Sequence, residues 1–414
     1  MRWAAAPLLI LLLLTPILGA NVAVNRVTEE RVFIIQSKIT YINPMNGTRI
    51  WNLTLEDRTI GMFMNNTWQT VYLLNHTYPL ESIGTDSDGN PTATLKFPTL
   101  TLRPGENLSF TVAYQAISRP RQLPRISEEE SLTVEDIPKS LREAYCGGEG
   151  PWLVDDPTLK ELAYELKGNE TRVLTIVKRF ILWIDENIQY PLIAHEVPQY
   201  PNETYARRVG DCDDKAILLI TLCRICGIPA YLQIGCIYLP QEDSRRTHWS
   251  GHVTVTLRRI GWHGWAVVYI PPWGWLPVDL TFVLGGLFNP LNAIRMGAVT
   301  LQRTIQYMNI TRSDYVASSR RDREFIISNG FYMIVQDEMT EVEGWEPTAP
   351  VKPSIVEELW GIWVRWIAIA VGVSAAAVLA AALYIRRRGP ESLQAPAESL
   401  INVAPPFHIN PTKA

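Results

Sequence analysis

Gly210-Asp211-Cys212-Asp213-Asp214-Lys215-Ala216, running straight into the apolar stretch Ile217 to Cys226, decides how the rest of the chain is read. It has the form of a turn, a cysteine and a helix. Asp211, Asp213 and Asp214 crowd the expected first turn, where carboxylates favour the positive end of the helix dipole. Ile217, Leu218, Ile220, Thr221, Leu222 and Ile225 leave almost no polar face, so the helix belongs inside a core. Gly227 ends it, with Pro229 just beyond. A cysteine at a helix N-terminus sits where the field lowers a thiol pKa and favours the nucleophilic thiolate. The plainer reading of Cys212 is a small buried residue.

Around this stretch, 414 residues leave room for about two or three domains. Hydrophobic residues at 47% and charged residues at 19% describe a folded protein with membrane segments. A formal net charge of -4 gives no reason to expect a nucleic-acid partner. Residues 1–20 read as a secretory signal: Arg2, the apolar run Ala4 to Leu14, then Leu18-Gly19-Ala20 as a small-residue cleavage site. Trp366 to Ile385 carries no charge and is long enough to cross a hydrocarbon core of about 30 Å. Trp360, Trp363 and Trp366 flank it on one side, while Arg386, Arg387 and Arg388 on the other predict a cytoplasmic C-terminus. A single-pass plasma-membrane protein with its ectodomain outside is expected. Asn46, Asn52, Asn65, Asn75, Asn107, Asn169, Asn202 and Asn309 each begin an N-x-Ser/Thr triplet, all on the expected outer side.

Taken in order, residues 21–120 alternate in short runs, such as Arg31 to Ile35, Trp68 to Leu73 and Ser109 to Tyr114. Turn signals at Asp88-Gly89-Asn90-Pro91 and Arg103-Pro104-Gly105-Glu106 split them. A β-sandwich domain is expected there, followed by a linker at 121–135. Thr158 to Lys167 and Arg172 to Asn187 have apolar residues at helical spacing, including Val173, Ile176, Val177, Phe180, Ile181, Trp183 and Ile184. After the Cys212 helix the period changes to two. Ala230 to Leu239, His252 to Arg258, Trp265 to Ile270 and Trp275 to Leu280 are strand candidates, with Pro271-Pro272-Trp273-Gly274 as the last turn. Helices first and strands afterwards indicate an α+β domain over 136–341, with 289–341 at its periphery. A stalk (342–358), a membrane helix (359–385) and a tail (386–414) complete the expected order.

A thiol nucleophile needs a base, and the base an orienting acceptor. His248, His252 and His263 are the downstream candidates for the base. Asp279, amid apolar neighbours at a strand end, is the candidate acid. Together, "YARRVGDCDDKAILLITLCRICGIPA" and "HGWAVVYIPPWGWLPVDLT" resemble the nucleophile segment and the His and Asp strands of the transglutaminase-like superfamily. The resemblance implies a papain-like α+β fold, with Cys212 as nucleophile, His263 as base and Asp279 as orienting acid. It also implies acyl transfer on protein or peptide amide bonds through a thioester that passes to water or to an amine. Val267 departs from the family, which often has a glutamate before the Val-Tyr pair. His252, in Gly251-His252-Val253, is the alternative base, whereas His248 reads as an exposed residue of a charged loop, Gln241 to His248. A non-catalytic surface-binding or adhesion module that retains the fold is the competing function.

The remaining chemistry is sparse. No cofactor motif is present. Cys223-Arg224-Ile225-Cys226 has no second pair with which to form a zinc site. The aspartate cluster lacks the looped spacing of a calcium site and reads as N-terminal helix charge. Outside the cell, Cys146, Cys223, Cys226 and Cys236 would allow up to two disulfides, in any of three full pairings.

Overall fold

Residues 107–118 alternate between inward and outward side chains without a break, the pattern of a strand with one face in a core. The computed structural model describes residues 30–122, 124–191, 196–282 and 289–342. The expected signal, most of the stalk, the membrane helix and the tail lie outside the described residues. Among those described, no helix is long and apolar enough to cross a membrane.

The N-terminal strands are β1 (Arg31–Ile42), β2 (Trp51–Asn52), β3 (Thr59–Gly61), β4 (Gln69–His76), β5 (Leu80–Thr85), β6 (Pro91–Leu95), β7 (Thr101–Leu102) and β8 (Asn107–Ser118). A short helix α1 (Leu55–Arg58) interrupts them. Then come α2 (Lys139–Tyr145), α3 (Pro157–Lys167), α4 (Val173–Asn187), α5 (Pro201–Arg207) and α6 (Cys212–Ile225). The chain continues through β9 (Ala230–His248), β10 (Val253–Ile270), β11 (Gly274–Val278), α7 (Asn292–Arg295), β12 (Thr304–Ile310), α8 (Tyr315–Asn329) and β13 (Tyr332–Glu341).

The main sheet runs β12-β9-β10-β13-β1-β8-β4, and β11 pairs with β10. This corrects the expectation of a free-standing sandwich over 21–120. β1 is paired along its length with both β8 and β13, so the N-terminal strands continue the sheet that carries β10. β13 is not peripheral either: it lies between β10, to which it is parallel, and β1. Period-two patterning states that a strand has one buried face; it does not state which strand lies beside it.

The sheet curls until its two edge strands meet. Gln69 Nε2 donates to the Gln306 carbonyl at 2.7 Å, and the Gln306 N–H donates to Gln69 Oε1 at 2.7 Å. Asn90 holds the Asn309 N–H and carbonyl in the same two-way manner, both at 2.7 Å. These side-chain amides stand in for a neighbouring strand and satisfy edge groups that would otherwise lack partners.

One core fills the inside of the curl, with Phe33, Phe110, Tyr114, Met339 and Cys236. A second core lies between the helices and the sheet. There α4 buries Val173, Ile176, Val177, Phe180, Ile181 and Ile184 completely, as its spacing predicts. Trp183 is half-buried, stacked on Tyr205 beneath the Arg208 guanidinium. Full burial of each such aliphatic or Phe side chain contributes about 1.5–3 kcal/mol before conformational entropy is subtracted.

Two further differences concern β9 and β10. Gln241 to His248 is no loop: it extends β9 and pairs with residues 253–258. The two strands expected at His252 to Arg258 and Trp265 to Ile270 are one strand, bent by a bulge at Arg259, whose φ is 55°.

Candidate active site

α6 begins at Cys212, with Asp211 as its N-cap in a capping box with Asp214. Gly210 leads in because a Cβ there would lie 2.8 Å from Thr204 Cγ2 and 2.9 Å from Asp214 Cβ. Asp214 is fully buried and does more than counter the dipole. It accepts from the Gln199 N–H at 2.7 Å and from Gln199 Nε2 at 2.8 Å, tying the chain before α5 to the helix start. Asp213 Oδ2 accepts from the Tyr315 hydroxyl at 3.0 Å, which brings the start of α8 to the same place.

β10 brings the histidine. His263 pairs opposite Gly235 of β9, and Gly264 follows it. A Cβ on residue 264 would lie 3.1 Å from Asp213 Cβ, so this glycine lets the strand reach the helix N-terminus. The β10–β11 hairpin pairs Ala266 with Val278 and thereby returns Asp279 to His263. His263 Nε2 and Asp279 Oδ2 are 2.9 Å apart, the ring 10% and the carboxylate 1% exposed. Asp279 Oδ2 also accepts from the Ala298 N–H at 2.8 Å. Its Oδ1 accepts from the N–H groups of Thr281 and Phe282 at 3.2 and 3.1 Å. The Cys212 thiol lies near enough to the His263 ring for each to shift the other's titration. The structure thus brings Cys212, His263 and Asp279 together.

The electrostatics follow from burial and from that grouping. Burial alone would lower the His263 pKa, but the charge and hydrogen bond of Asp279 outweigh it and hold the imidazole well above its ordinary value. Burial would raise the Asp279 pKa. His263 and the Ala298 and Phe282 N–H groups outweigh it, leaving the carboxylate below its ordinary value. For Cys212 burial pushes the thiol up, with the Asp213 and Asp211 charges adding to it, and His263 pulls against them.

The other candidate histidines lie elsewhere. His252 Nδ1 is 2.7 Å from the Phe331 carbonyl and its ring stacks on Tyr332, a structural position at the foot of β13. His248 is half-buried at the end of β9, not an exposed loop residue. Val267 packs in a small cluster with Trp265 and Val299. All five cysteines are free, which corrects the disulfide expectation. Cys236 faces the core inside the curl, whereas Cys223 and Cys226 belong to the helical core. Donor atoms of Asp211, Cys212 and Asp213 lie within 4.8 Å of one another. The capping box engages Asp211, and the Tyr315 hydroxyl donates to Asp213.

Gln199, Gly264, Tyr315 and Ala298 were not singled out from the sequence. Only Gly264 carried a local signal, a glycine inside a strand directly after the histidine.

Residues 160–280 match the family model of the transglutaminase-like superfamily, a span that holds Cys212, His263 and Asp279. No curated protein matches the chain in sequence. Among solved structures, a candidate cysteine protease from Cytophaga hutchinsonii is similar at 17% identity and a TM-score of 0.47. That alignment covers 78% of this chain and 94% of the other. The periplasmic domain of TgpA from Pseudomonas aeruginosa aligns at 16% identity and a TM-score of 0.30, over 64% of this chain and 92% of that domain. Red sea bream transglutaminase aligns at 9% identity and a TM-score of 0.26, over 61% of this chain and 46% of the enzyme. Residues 160–280 are a transglutaminase-like domain.

Proposed function

We propose that the chain is a surface-anchored cysteine enzyme that transfers acyl groups from protein or peptide amides through a thioester. The observation that carries this reading is the Cys212–His263–Asp279 grouping, with His263 Nε2 held 2.9 Å from a buried carboxylate and the thiol at a helix start. Asp279 fixes the proton on Nε2 and leaves Nδ1 to take the proton of Cys212. The thiolate attacks the amide carbonyl, and the oxyanion meets N–H groups of the first α6 turn, which precede the first intrahelical bond from the Lys215 N–H to the Asp211 carbonyl. Collapse expels the amine, which takes the proton back from His263. Water or a primary amine then attacks the thioester, giving hydrolysis or a new amide. The apolar leader at 1–20 and the uncharged run Trp366 to Ile385 support a single-pass anchor with residues 21–358 outside the cell.

Alkylation of the ectodomain with iodoacetamide at mildly acidic pH tests the activated thiol. Cys212 is expected to label faster than cysteine in the denatured chain, and equal rates would sink the proposal in favour of a non-catalytic surface module. A Gln-rich protein offered with a labelled primary amine then separates the acceptors. Incorporated label means transamidation; new peptide termini without label mean hydrolysis.

A further inference from the structure

The asparagines of this chain sort by exposure according to the two residues that follow them. Of the eight that begin N-x-Ser/Thr, seven are exposed, and Asn309 alone is half-buried. Of the other seven asparagines in the described residues, only Asn289 is exposed; Asn43 and Asn90 are buried, and Asn66, Asn187, Asn292 and Asn329 are half-buried. Asn90 makes the contrast sharper. It is followed by threonine two residues on, but Pro91 stands between and disables the triplet. That buried side chain is the one clamped on the backbone of Asn309.

We infer that the seven exposed asparagines carry N-linked oligosaccharides and that Asn309 does not. The inference rests on the proposed outer location of the ectodomain. In the transfer step, Nδ2 attacks the anomeric carbon of a lipid-phosphate-linked oligosaccharide supplied by the host's transferase. An N–C bond forms, the bond from that carbon to the phosphate oxygen breaks, the lipid phosphate leaves, and one amide proton goes to base. Only Nδ2 is consumed. Asn65 can therefore be modified while its Oδ1 still accepts from the Val71 N–H at 2.6 Å. At Asn309 the backbone is held between Gln233 of β9 and the Asn90 side chain, and its Oδ1 accepts from Gln233 Nε2 at 2.7 Å. Unlike the seven exposed acceptors, Asn309 stands half-buried within a paired strand, where there is no open solvent for a sugar.

Five of the seven acceptors fall between residues 46 and 107, on the N-terminal strands. Asn65 precedes β4, the last strand of the main sheet, and Asn75 lies within it, beside outward-facing Tyr72 and Leu74 that are 53% and 52% exposed. Oligosaccharides at these two positions screen the exposed Tyr72 and Leu74 from other molecules.

The test is glycopeptide mass spectrometry on the full-length protein purified from its own host cells, with protease accessibility of intact cells measured in parallel. Expected are glycans on the seven exposed positions, an unmodified Asn309 peptide, and one step lost from the mass ladder in each of Asn65→Gln and Asn75→Gln. Asn309→Gln should leave the ladder unchanged. An ectodomain cleaved from outside that carries no glycan, or carries one at Asn309, overturns the inference and leaves the proposed location intact. Protection from outside protease in intact cells overturns the location and the inference with it.

Discussion

Replacing Asp279 by asparagine keeps the shape of the side chain but changes what it can accept. Oδ2 meets the His263 Nε2 and Ala298 N–H donors, while Oδ1 meets the N–H groups of Thr281 and Phe282. Both oxygens face only donors, and an amide has one oxygen. With its NH2 toward His263, the ring must accept at Nε2 and carry its proton on Nδ1, so it no longer takes the proton of Cys212. With its NH2 toward the turn, two backbone donors lose their acceptor. Stranding a buried group costs about 1–3 kcal/mol, so with two donors stranded the variant should lose roughly 2–6 kcal/mol of stability. The wrong tautomer in a comparable triad lowers turnover by about 10⁴, or roughly 5.5 kcal/mol of barrier.

The assays are Cys212 alkylation and amide turnover as functions of pH, with urea unfolding alongside. Asp279 raises the His263 pKa, and the imidazolium it favours opposes the burial that holds the Cys212 thiol above its ordinary value, so thiol labelling depends on this carboxylate. In Asp279→Asn the labelling curve should move toward alkaline pH. The stability from the raised His263 pKa is fully present below the unfolded value of about 6.5 and is lost as pH rises through the folded value. That from the lowered Asp279 pKa is present above about 3.9 and is lost as pH falls through the folded value. The stability difference between the two proteins should therefore be largest between about pH 4 and 6.5. A variant that turns over at the native rate with an unmoved labelling curve would refute the reasoning.

Three other outcomes follow from the geometry. His263→Ala should abolish amide turnover, whereas His252→Ala should keep most of it and lose stability through the Phe331 carbonyl contact; the reverse pattern in a turnover assay would reassign the base. Gly264→Ala adds a Cβ 3.1 Å from Asp213 Cβ and should push the start of α6 away from His263. A fall in kcat of about 10²-fold with little change in Tm is expected, and an unchanged kcat would show that the helix yields without cost. Asp88 accepts from backbone or hydroxyl donors of Thr311, Arg312 and Ser313, which hold its pKa below the ordinary value against the opposing effect of burial. Its contribution is present above the unfolded pKa and fades as pH falls through the folded one. Asp88→Asn should thus destabilise the protein at neutral pH and flatten the acid side of its stability curve, measured by urea unfolding from pH 2 to 7.

What the sequence alone determined is the Cys212 helix and the strands that carry His263 and Asp279. The Cys212 helix is legible because its cap, its first-turn carboxylates and its apolar run are local, and local order needs no distant partner. His263 and Asp279 are legible because a hairpin of short span brings them together. Tertiary structure decided everything that depends on strand partners. The N-terminal strands read equally well as a sandwich of their own; only pairing of β1 with β13 merges them into the sheet that carries the site. Residues 332–341 looked peripheral because alternation does not distinguish an edge from a centre. The closure of the sheet by Gln69 and Gln306, 237 residues apart, has no local signature at all. Nor has the hold of Gln199 on Asp214, or of Tyr315 on Asp213. These polar side chains acquire their roles only when folding removes the water that would otherwise satisfy them.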